Sequence, residues 1–192
     1  MTKKLYIYLI LTSIFFVLTA FQCEEEVACS TTKSYTTEKT PIKVKKPTNL
    51  KINDTLWISL SVNENLKDIN GNNIILKIDD VEELSHYFQT ELKNNFNEFN
   101  ELNFGVFYVD RTGKLNTFRG GVTSGFVFDD TLKSYNYNFG LILKEKGTYK
   151  ITSSNLFFND YGGDCPDFFY EIPVFFENAD LENNQIYTFT VD

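Results

Sequence analysis

Apolar residues alternate with polar ones along much of the chain. In "DTLWISLSV", Leu56, Ile58, Leu60 and Val62 fall on one face and Trp57, Ser59 and Ser61 on the other. That period of two predicts a half-buried strand. "YNYNFGLIL" repeats the pattern with Tyr135, Tyr137, Phe139, Leu141 and Leu143, and Glu145-Lys146-Gly147 turns it into "TYKIT". "DFFYEIPVFF" and "IYTFTV" supply the last strands, with an edge or a break at Pro173, which cannot donate to a ladder. Asn70-Gly71 marks a tight turn before "NIILKI", and Gly113 takes the left-handed position of a hairpin joining "FGVFYV" to "KLNTF". One segment departs from this period. Val81, Leu84, Phe88, Leu92, Phe96 and Phe99 recur at spacings of three and four, predicting a helix near 80–97, capped at Asp79 or Asp80. The fold class expected is mainly β: an antiparallel two-sheet sandwich with that one helix across a sheet or over an open end.

The N-terminus has another pattern. Lys3 and Lys4 precede an apolar run from Leu5 to Phe21 with no acid, the form of a secretory signal peptide. A permanent transmembrane anchor is the alternative, and both export the remainder because the lysines stay on the cytoplasmic side. Cys23 follows at once, then Glu24, Glu25 and Glu26. This stretch resembles the start of bacterial envelope lipoproteins of the Bacteroidota, where acidic residues often follow the lipidated cysteine. Phe21 and Gln22 stand where small residues are usual. The resemblance implies cleavage before Cys23, acylation of its sulfur and attachment to a lipid bilayer, the outer membrane being the expected site. Segments such as "INDTLWISLSV" and "EKGTYKITS" are similar to immunoglobulin-like or transthyretin-like sandwich modules of such lipoproteins, which implies architecture only. The domains expected are a signal peptide at 1–22, a lipidated N-terminus and polar tether at 23–49, and a β-sandwich at 50–192. The tether is rich in Thr and Lys between Pro41 and Pro47, with one edge strand around Ile42–Val44.

With Cys23 committed to lipid, Cys29 and Cys165 remain as an even pair. Export into a disulfide-permissive space then predicts a Cys29–Cys165 bridge.

Charge and chemistry narrow the function. The formal net charge of −8 becomes −10 once Lys3 and Lys4 leave with the signal peptide, and such a chain repels phosphate backbones. Nucleic acid is therefore excluded as a partner. His86, the only histidine, sits on the flank of the expected helix and is expected to face solvent. No nucleophile elbow, zinc-ligand spacing or phosphate loop accompanies it, so no catalytic residue and no cofactor are assigned. In "NDYGGDCPDFFYE", Asp160, Asp164 and Asp167 around Gly162-Gly163 form a weak calcium candidate without EF-hand spacing. Trp57, the sole tryptophan, is a candidate ligand platform if exposed, and a covered side chain if the helix or tether lies on it. The function expected is a membrane-anchored binding or scaffolding protein. The alternative is a secreted or surface-exposed glycan-binding module, with a small hydrolase third.

Overall fold

The structure, a computed structural model, describes residues 33–76, 85–102, 106–118, 121–159, 168–177 and 184–192, all within a unit spanning Thr31–Asp192. Cys23, Cys29 and Cys165, and with them the lipid site and the disulfide, lie outside these residues, as do Asp160, Asp164 and Asp167.

The described residues are mainly β. The first strands are β1 Lys33–Thr36, β2 Thr40–Lys45, β3 Thr55–Asn63, β4 Asn65–Lys67, β5 Asn73–Ile75 and β6 Ser85–Lys93. Then come β7 Phe99–Glu101, β8 Val106–Thr112, β9 Leu115–Phe118, β10 Gly121–Gly125, β11 Val127–Asp129 and β12 Ser134–Leu143. The last are β13 Gly147–Ser153, β14 Leu156–Asn159, β15 Phe168–Ile172, β16 Val174–Phe176 and β17 Ile186–Val191. One six-stranded sheet runs β11-β12-β3-β2-β16, with β8 also paired to β12. A second runs β17-β13-β6-β10-β9, with β7 paired to β6. A three-stranded sheet, β1-β15-β14, and the β4-β5 ribbon complete the set.

The interior follows from the alternation. Leu56, Ile58, Leu60 and Val62 of β3 and Tyr135 to Leu143 of β12 point inward together, because β3 and β12 pair in register from Ser134↔Asn63 to Ile142↔Thr55. From the second sheet, Phe88 sets its ring edge-on to Tyr137 and Phe139, at centroid distances of 5.8 and 5.1 Å. Edge-to-face packing of this kind adds to what area burial alone provides. Tyr149, Ile151, Tyr187 and Phe189 are buried with them, as are Val122 and Val191.

Three expectations are corrected. No helix occurs among the described residues, and Ser85–Lys93 is the central strand β6. Its inward positions are His86, Phe88, Thr90 and Leu92, two of them polar, which hid the alternation. Phe88 and Leu92 are four apart and share a face in a helix and in a strand alike. The turn at 94–98 follows, where the Asn94 side chain accepts from the N–H groups of Phe96 and Glu98 and Asn97 takes a positive φ of 67°.

Gly113 does have a positive φ, 87°, but β8 and β9 are not a hairpin. β8 pairs with β12 and β9 with β10, so the glycine turns the chain from one sheet to the other. A Cβ there would run into the Gly125 carbonyl oxygen, leaving no space for any other residue.

The segment expected as tether carries two strands. Ile42 is fully buried, and β2 lies between β3 and β16 rather than at an edge. β1 and β2 run parallel to β15 and β16, from Lys33↔Phe168 through Ile42↔Phe176. These are the two parallel pairs among the described strands. Pro173 is a break as expected: β15 ends before it, β16 begins after it, and its carbonyl accepts from the Thr40 N–H at 2.8 Å.

Candidate functional site

Two polar constellations share strand β12, one on each face. On the inner face, His86 Nδ1 lies 2.8 Å from the Tyr137 hydroxyl. Its Nε2 lies 2.8 Å from the Ser154 carbonyl oxygen and 2.9 Å from Ser153 Oγ. A carbonyl only accepts, so Nε2 carries the proton and Nδ1 accepts from Tyr137. The Ser153 hydroxyl donates in turn to the Ser154 carbonyl, at 3.0 Å. Burial lowers the imidazole pKa to about 4, against the Ser154 bond that raises it. Burial also pushes the Tyr137 hydroxyl well above its usual range. The ring is therefore neutral at pH 7. At 1% exposure His86 does not face solvent, contrary to the expectation from the sequence. No carboxylate among the described residues bonds to it, and neither cleft described below is lined by His86 or Ser153. Ser124, its cross-strand neighbour on β10, keeps a buried hydroxyl without a partner among the described residues. The arrangement ties one sheet to the other.

The outer face is built from the alternate positions of the same strands. Asn136 stands opposite Ser61 and Asn138 opposite Ser59, while Lys43 of β2 stands on the other side of Ser59. Thr112 of β8 is the other neighbour of Asn138, beside a bulge that shifts the register. Lys43, Ser59, Ser61, Thr112, Asn136 and Asn138 line an open groove of about 440 Å³. Pro41 and the exposed Leu132 add apolar surface to it. The Oδ1 atom of Asn138 is buried and has no hydrogen-bond partner among the described residues.

Trp57 lies one row along, opposite Gly140 and Lys45. The ring rests against the glycine: a Cβ at 140 would meet Thr55 Cγ2 at 2.5 Å and Trp57 Cζ3 at 3.2 Å. The Arg111 guanidinium sits over the ring, 5.5 Å from its centroid. Trp57 is thus half-buried, and among the described residues Arg111 of β8 lies over its ring.

Charges divide the two sheets. On the second, Glu91 and Lys150 face each other across β6 and β13 at 2.6 Å, and Lys150 also lies over Phe99. On the first, Lys43, Lys45 and Arg111 form no ion pair among the described residues. A second cleft, about 330 Å³, lies between Val106–Tyr108 on one side and Thr117, Phe118 and Gly121 on the other, with Phe118 stacked on Tyr87 at 5.4 Å. No group of three potential metal ligands occurs among the described residues.

Alternation alone puts Ser59 and Ser61 outward. What it does not reveal is that Asn136 and Asn138, more than 70 residues later, stand beside them. No protein-family model matches the chain, and no curated protein matches it.

Proposed function

We propose that the chain is an exported envelope lipoprotein, held in a bilayer by acylated Cys23, whose β domain binds or scaffolds and does no catalysis. The observation that carries this reading is the order Lys3-Lys4, apolar Leu5–Phe21, Cys23, Glu24–Glu26. Several acyl chains, at ~0.8 kcal/mol per buried CH₂, hold such a product firmly. On this reading the facing sheets are a two-sheet sandwich of the immunoglobulin-like or transthyretin-like kind, and Cys29 and Cys165 are bridged. The bonding of buried His86 to Tyr137, Ser153 and Ser154, with no carboxylate on it among the described residues, supports a non-catalytic role. A second reading, a surface-exposed glycan-binding module, is favoured by the open Ser/Asn groove.

Intact-mass analysis of protein taken from membranes tests the anchor. Wild type is expected to start at Cys23 and carry added acyl mass, and Cys23→Ala to lose both the added mass and membrane retention. An unacylated, soluble wild-type product overturns the reading.

A further inference from the structure

We propose that the groove over β2, β3 and β12 binds an anionic saccharide, one or two sugar rings bearing a carboxylate or sulfate. The inference rests on the binding role proposed above and names the site and the ligand class.

Its lining is the first argument. Ser59, Ser61, Thr112, Asn136 and Asn138 present hydroxyls and amides, which both donate and accept. Sugar hydroxyls need the same mixture. Strands about 4.8 Å apart and alternate residues roughly 6.8 Å apart place these groups on a grid the size of a pyranose ring. A volume of about 440 Å³ suits a small ligand.

The unpartnered acceptor is the second. Asn138 Oδ1 is buried beside an open groove with nothing donating to it among the described residues, a costly state for a polar atom. Ser124 is also unpartnered, but it lies in the interior, where no ligand reaches it. Asn138 itself lines the groove, so a rotation of its side chain brings that oxygen to a ligand hydroxyl without breaking any bond the oxygen makes among the described residues.

The third is charge. The outward positions of β2, β3 and β12 run from Pro41 to Lys45, from Thr55 to Asn63 and from Ser134 to Ile142 at every second residue, with no carboxylate among them. Arg111 adds a third cation from β8. On a chain of net charge −8, these unpaired cations beside a hydroxyl-binding floor select an anion on the sugar. Together the floor recognises the ring and Lys43 its charge.

The test titrates the full-length protein in detergent with three probes: a galacturonic acid trisaccharide, a sulfated trisaccharide and a neutral glucose trisaccharide. Trp57, one row from the groove, reports binding by fluorescence, and calorimetry gives the affinity. Saturable binding of either anionic probe, with the neutral one much weaker, supports the site, and the better anionic probe identifies the group recognised. Lys43→Glu is expected to weaken that binding by roughly tenfold or more, the scale of a lost charge-assisted hydrogen bond, and Asn138→Ala by about threefold to tenfold, the scale of a neutral one. Lys146→Glu, the same charge change on an exposed turn, is expected to leave it unchanged. Unchanged melting temperatures show that the variants fold. No saturable binding of either anionic probe overturns the proposal, as does equal binding of the neutral one or indifference to both groove variants. The acyl mass of the same preparation is read separately, so failure of the groove and failure of the anchor are distinct results.

Discussion

Tyr137 and Asn138 are neighbours on one strand, yet they meet opposite conditions. The Tyr137 hydroxyl enters a network in which His86, Ser153 and the Ser154 carbonyl satisfy one another out of reach of solvent. The Asn138 amide enters an open grid where its oxygen finds no donor among the described residues. A single residue step along a strand changes the face, and the face decides whether the protein itself completes the bonding. Completed bonding fastens two sheets together. Incomplete bonding beside an open groove is free to be completed by something else.

The sharpest way to break this contrast is His86→Ala. It removes a buried ring and strands the Tyr137 hydroxyl, so a loss of about 3–5 kcal/mol is expected in chemical denaturation. A loss under about 1 kcal/mol would show that the network does not fasten the sheets.

Acid probes the same site. The imidazole pKa is about 4 when folded and 6.5 when free, so between those values the unfolded chain binds the proton and the folded one does not. The contribution is therefore fully present above pH 6.5 and is lost as pH falls toward 4, by about 3 kcal/mol at 1.36 kcal/mol per pH unit. Denaturation curves of wild type and His86→Gln from pH 7.5 to 4 check this, with the variant expected to lack that part of the slope.

Gly140→Ala brings a methyl to 2.5 Å from Thr55 Cγ2 and against Trp57, and is expected to cost about 1–3 kcal/mol. Adding Thr55→Ser, which deletes that methyl, is expected to recover part of the loss. If it recovers nothing, the crowding lies elsewhere. Smallest of all, Ser59→Ala and Asn138→Ala are expected to shift stability by no more than about 0.5 kcal/mol, with Asn138→Ala neutral or slightly stabilising. A large loss from either would move the groove into the structural class.

Where a strand carried apolar residues on one face only, the sequence alone was enough. Leu56 to Val62 and Tyr135 to Leu143 are inward as their alternation predicts. β6 was illegible because His86 and Thr90 occupy inward positions, and what makes them tolerable there is long-range: Tyr137 and the Ser153–Ser154 pair for His86, the Tyr108 hydroxyl for Thr90. The strands in the expected tether were hidden by composition. Thr40, Ile42 and Val44 alternate with Pro41, Lys43 and Lys45, and only pairing with β3 and β16 makes so polar a segment a strand. The groove fails to show for the same reason, since its two walls are distant in the chain. Gly113 shows that local geometry can be right while its context is wrong. The left-handed turn is present, but the strands it joins belong to different sheets.

The parallel course of β1 and β2 beside β15 and β16 also sets a length. Among the described residues pairing begins at Lys33, ten positions after Cys23, so a lipid on Cys23 would stand at most roughly 35 Å of extended chain from β1. Counted to the end of the expected tether at residue 49, the leash would have been more than twice as long. The domain would patrol a thin shell next to the bilayer, and the saccharides within its reach would be those lying close against the membrane.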